Sequence, residues 1–246
     1  MNKRIRGEFE EIIYRGEKTP FSLGSLAIVC LCLLLLIVAT FTQLNLVHYW
    51  PSIQLDEGFS INTKQYLYIP QIPLVLFIAA ILGARFGIFV IILYLLTGFF
   101  IWPVFALGGG LGYVKSYFFG YILGYFFAIV FASRVLYFDK FSYKSMIYAS
   151  LIGVLSIHFC GILYTGILGL FHLVNFAFIK EALSTLSGDK IIYDLVFSFI
   201  FIMLSVPIKG FLWLAMKNYS KPKRDARTTH EAREMRRIER QKAKNA

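Results

Sequence analysis

Six stretches of this chain are apolar for long enough, or nearly so, to cross a lipid bilayer: residues 22–46, 68–84, 86–106, 114–133, 145–171 and 190–216. A helix needs about 20 apolar residues to span the hydrocarbon. In that medium every backbone N–H and C=O must be bonded within the protein, so such runs fold as packed helices. The expected fold is an all-α membrane protein, a bundle of six transmembrane helices. Only 16% of the residues are charged, against about 25% in a soluble domain. The first run, from Phe21 to Val47, is too long for a signal-peptide core of roughly 7–15 residues and is expected to stay as a span.

The second and third runs are separated only by residues 83–87, Gly-Ala-Arg-Phe-Gly, which predicts a tight hairpin. Pro70 and Pro73 make an irregular start to the second run. Three domains follow: an N-terminal segment 1–21, a transmembrane domain 22–217 and a basic tail 218–246. Residues 217–246 hold eleven Lys/Arg and four Asp/Glu, so this end supplies +7 of the net +11. A basic stretch next to a span sets topology or meets lipid, and nucleic acid is not an expected partner. Six spans put both termini on one face, together with Arg85, Arg134, Lys140 and Lys144. Asp56, Glu57 and the uncharged glycine loop fall on the other. By the positive-inside rule both termini are cytoplasmic, in a multi-pass protein of the cell (inner) membrane. In the tail, Thr228 and Glu231 fit a capping box, and residues 229–243 fit a short helix.

Residues 108–116, GGGLGYVKS, imitate a phosphate-binding loop. A nucleotide loop needs Gly before the Lys, a preceding strand and a soluble α/β setting. Here Val114 precedes Lys115 and a membrane helix precedes the loop. The glycines instead suit close backbone approach, by a neighbouring helix or by a ligand. Gly109 and Gly110 are candidate binding residues, with Tyr121 just beyond. Gly120 and Gly124, four apart, suit tight helix packing. Asp194 stands inside an apolar run, where a carboxylate faces a cavity or a partner. His158 reads as a polar packing residue, since Ser156 lies on a different face of the same helix. Cys30, Cys32 and Cys160 read as small packing residues; neither metal nor cofactor is expected.

LGARFGIFVIILYLLTGFFIWPVFALGGGLGY, followed by GYILGYFFA, resembles the BioY family. These are the biotin-binding membrane subunits, or S components, of energy-coupling factor (ECF) transporters. The resemblance is carried by Gly83, Arg85, Gly87, Tyr94, Gly98, Pro103, Val104, Phe105, Gly108, Gly109, Gly110, Gly120, Tyr121 and Gly124. It implies the six-helix S-component fold and high-affinity biotin uptake through an outward-opening apolar pocket. It implies as partners biotin, a transmembrane coupling subunit, two ATPase subunits and the bilayer, and it implies no enzyme activity. Gln71 matches the family's glutamine ahead of the second span, and Asp194 matches the aspartate of its PGDLLK motif. Phe197 stands at that motif's lysine, unless Gly188-Asp189-Lys190 is the counterpart. Lys115 and Lys190 are the remaining cations near the outer face. The missing lysine leaves open an S component for another small vitamin-like carboxylic acid; an intramembrane enzyme is a further alternative. The family's AxxxA docking pattern is absent from the first helix, which has Ala27 and Ala39; Ala80 and Ala84 show that spacing in the second.

Overall fold

The computed structural model describes residues 23–54, 58–106, 108–171, 179–180, 183–188, 190–212, 234–235 and 241. The expected segment 1–21 therefore lies outside the described residues, as does the Thr228–Glu231 capping box; of the tail helix, residues 234, 235 and 241 are described, each helical. Two compact units are present, Met1–Val206 and Pro207–Ala246. The bundle belongs to the first.

Helix α1 is Leu23–Phe41. It is apolar on every side, yet it buries one stripe, Val29, Cys32, Leu36, Ala39 and Thr40, and exposes Leu31, Leu34, Leu35 and Val38. That spacing of three and four is the face of a helix packed on neighbours, and the bare face suits lipid. The helix ends five residues before the expected 46. Thr40 and Thr42 turn their hydroxyls back onto the carbonyls of Leu36 and Val38, each at 2.9 Å; the Val38 carbonyl is one of the last four, which the next turn would have bonded.

The chain then leaves the all-α expectation. Strands β1, Leu44–Gln54, and β2, Gly58–Tyr68, form an antiparallel two-stranded sheet with Leu44 opposite Tyr68 and Gln54 opposite Gly58. β-branched and aromatic residues favour the extended state here. Pro51 is tolerated because each strand of a two-stranded ribbon has an unpaired edge.

Helix α2 runs Gln71–Leu96 and breaks at Gly83, whose φ of 70° and ψ of −175° are open only to glycine. The break reverses the chain. Gln71 and Tyr94 lie 23 residues apart, ~34 Å along a straight helix, yet their side chains are hydrogen-bonded at 3.1 Å. Residues 71–82 and 84–96 are thus antiparallel arms, and a π turn, Thr97–Ile101, extends the second. The predicted five-residue hairpin is sharper in the structure; the helix resumes at residue 84 and leaves Arg85 exposed.

Helices α3, Phe118–Phe138, and α4, Tyr143–Leu170, are antiparallel neighbours joined by a short turn. Ser142 caps α4 by accepting the Ser145 N–H at 3.2 Å. The two helices approach to backbone contact: a Cβ on Gly124 would sit 2.6 Å from the Ile157 Cα. Helix α5 starts at residue 191, and its helical residues run to 212. Among the described residues, five stretches can cross a membrane by length and composition: Gly24–Phe41, Gln71–Ile101, Phe118–Phe138, Tyr143–Leu170 and Leu186–Leu212.

Candidate functional site

This topology gathers one set of helix ends together. α1 finishes where α2 begins, and α3 begins beside the last turns of α4; α5 begins beside the middle of α4, with Asp194 and Leu195 bonded to His158 and Ser150. Two polar clusters lie toward that end, inside otherwise apolar packing.

Gln71 opens α2 and centres the first. Its Nε2 donates to Thr40 Oγ1 at 2.5 Å and to the Tyr94 hydroxyl at 3.1 Å, and its Oε1 accepts from the Tyr125 hydroxyl at 3.2 Å. Both amide hydrogens are engaged, so this glutamine joins α1, both arms of α2 and α3. Tyr94 in turn donates to the Val104 carbonyl at 3.2 Å and so reaches the glycine loop.

That loop is shaped by ring packing and short backbone bonds. The Phe105 ring is 5.3 Å from Tyr94, 5.4 Å from Phe99 and 4.6 Å from Tyr113, centre to centre. Phe105 and Gly108 exchange two backbone bonds, of 3.0 and 3.1 Å, and the Gly110 N–H donates to the Gly98 carbonyl at 2.8 Å. Gly109 and Gly110 then differ in role. A Cβ on Gly109 would fall 2.5 Å from Pro103 Cα and 2.7 Å from the Gly98 oxygen, so this glycine permits packing within the loop. Gly110 has φ +79° with open space beside it.

Asp194 centres the second cluster. It lies in the first turn of α5 and is 4% exposed. Its Oδ1 accepts from the Tyr68 hydroxyl at 2.8 Å, and its Oδ2 is 3.1 Å from His158 Nε2. The other ring nitrogen, Nδ1, is 2.9 Å from Ser187 Oγ, which is 2.7 Å from the Tyr121 hydroxyl. The chain of bonds therefore runs β2, α5, α4, the 184–188 turn and α3. Burying a carboxylate is unfavourable unless both oxygens find partners, and here both do. Burial, and after it the adjacent Asp194 charge, push the Tyr68 phenol above its ordinary pKa, so it remains a donor. Phe197 lies with its ring 5.3 Å from that of Tyr68 and walls the carboxylate's partner.

Of the sequence-predicted residues, Tyr121 and Asp194 belong to one network. Gln71 belongs to the other, to which the loop of Gly109 and Gly110 is tied. Lys115 is exposed and Lys190 half-buried; Asp189 lies outside the described residues. Sequence reasoning missed Tyr68, Ser187 and Thr40, and took His158 for packing. The available signal was that His158 and Asp194 are both ionisable inside apolar helices, a situation that calls for pairing.

Comparison with known proteins places this architecture. The BioY family model matches residues 16–213. A crystal structure of the S-component for biotin from an ECF-type ABC transporter is similar with a TM-score of 0.53 at 17% identity, covering 76% of this chain and 90% of that one. No curated protein matches the sequence.

Proposed function

From the premise that the chain belongs to the BioY family, we propose that it is the S component of an ECF transporter and binds biotin for uptake. The observation that carries this reading is Asp194: a buried carboxylate held by two donors and networked to Tyr121. Each carboxylate oxygen has a lone pair beyond the one its present partner uses. Biotin offers ureido N–H groups to such an acceptor, and its ring and aliphatic tail suit aromatic walls of the kind Tyr121, Phe197 and Tyr68 form. Tyr121 closes the head end of the site. Gln71 holds the helices around it, and the loop at Gly109 and Gly110 forms its external rim. Counting the two arms of α2 as two crossings gives six, with both termini cytoplasmic. The domains are then the segment 1–21, the binding domain 22–217 and the tail 218–246. A coupling subunit and two ATPase subunits supply the energy, as in other ECF systems.

Titrating purified protein with biotin in a calorimeter tests the reading. Tight binding is expected, and Asp194→Asn should weaken it severely in a protein that still unfolds cooperatively. A folded wild-type protein indifferent to biotin would refute it. Phe197 at the position of the family's lysine favours a second reading, another vitamin-like carboxylic acid, and competition of labelled biotin by such acids separates the two. Ser187, His158 and Asp194 have the spacing of a Ser-His-Asp triad. Yet Nδ1 faces the serine and Nε2 the carboxylate, the reverse of the serine-protease arrangement, and Tyr121 engages the same Oγ. Family membership makes the chain a transporter component.

A further inference from the structure

The face of α5 that carries Asp194 continues inward with a second polar group. Ser198 follows four residues later, so it lies on the same side one turn deeper, its Cβ about 5–6 Å away. Its residue is 0% exposed. Among the described residues, its Oγ is the buried side-chain oxygen or nitrogen that lacks a hydrogen-bond partner. Serines in these helices otherwise bond to carbonyls: Ser133 to Ile129 at 2.5 Å, Ser150 to Leu195 at 2.9 Å, Ser205 to Ile202 at 2.6 Å. A buried hydroxyl left unmatched is rare and lowers stability, and such a group in a native protein calls for an explanation, a ligand among them.

Asp194 presents acceptor capacity, and Ser198 beside it presents an unused donor. A cyclic urea carries the matching pair, an N–H and a carbonyl oxygen ~2.3 Å apart through one carbon. With hydrogen bonds of about 2.9 Å at each end, that pair bridges neighbouring turns of one helix. We infer that Ser198 is a specificity-determining residue of the binding site, donating its hydroxyl to the urea oxygen while Asp194 accepts the adjacent N–H. The inference rests on the reading of the chain as a biotin-binding protein. It assigns the head group a depth, one turn past Asp194, and gives the unmatched hydroxyl its partner.

Full-length protein in detergent micelles would be compared as wild type and Ser198→Ala. Three quantities would be measured: melting temperature without ligand, affinity for biotin, and affinity for the analogue with sulfur in place of the urea oxygen. The alanine variant should melt no lower than wild type, bind biotin about three- to tenfold more weakly, and discriminate less between biotin and the sulfur analogue. Unchanged biotin affinity in the variant would overturn the role of Ser198 alone. So would a lower melting temperature without ligand, which would reveal a structural partner. Wild-type protein that binds no biotin would sink the functional reading and the Ser198 contact with it. Ser198→Cys, similar in size with a weaker donor, should show the same loss of affinity and of discrimination to a smaller degree.

Discussion

Asp194 shows how one residue constrains its surroundings. A carboxylate 4% exposed needs donors on both oxygens, and Tyr68 and His158 provide them from positions 126 and 36 residues away in sequence. Losing one hydrogen bond to a buried charge costs about 1–3 kcal/mol; His158→Ala loses two bonds and the volume of a ring, whereas Tyr68→Phe loses one bond and keeps its ring. His158→Ala should therefore lower stability more than Tyr68→Phe, read as melting temperatures of the purified proteins. If Ser187 were an activated nucleophile, a fluorophosphonate probe would label it. No labelling is expected, because its hydroxyl is shared between His158 and Tyr121. That Asp194 needs partners was legible in the sequence, since a lone carboxylate in an apolar run stands out. Its partners were not. A pairing of α4 with α5 leaves no local periodicity, and Tyr68 looks like any tyrosine at the edge of a membrane.

Among the elements, α2 is the most dependent on a single position. Gly83 adopts φ 70°, ψ −175°, a region open in practice to glycine alone. Gly83→Ala should destabilise by about 1–3 kcal/mol and loosen the Gln71–Tyr94 bond that ties the arms. Gly124→Leu should be worse, because a side chain there meets the backbone of Ile157 and must push α3 from α4. Expression and melting of the two variants give the comparison. The turn and the glycine seam were both readable from spacing. The ribbon of β1 and β2 was not. Its segment mixes polar and aromatic residues without clean alternation, so loop and strand were indistinguishable until the pairing from Leu44–Tyr68 to Gln54–Gly58 was seen.

For the molecule as a whole, the informative quantity is where charge and exposed apolar surface lie. Leu31, Leu34, Phe127, Phe159 and Leu163 are bare on the outside of helices, as a bilayer would require. Arg85 sits exposed at the bend, at the opposite end of the arms from Gln71. In a variant lacking Cys30, Cys32 and Cys160, a cysteine at exposed Gln65 should react with a membrane-impermeant maleimide in intact cells. One at Arg85 should react only after permeabilisation, and the reverse pattern would invert the topology. Ala80 is 0% exposed, so neighbours within the bundle already cover it, and it offers no free docking surface for a coupling subunit.

The break at Gly83 leaves an arm, residues 71–82, that reaches only ~18 Å, whereas the lipid hydrocarbon is about 30 Å thick. Residues 73–76 and 78–82 of that arm are buried, so other helices rather than lipid surround it, and its shortness is a gap in the protein interior rather than in the bilayer. The side chains of Thr40, Tyr94 and Tyr125 converge on Gln71 at the tip where the arm stops short.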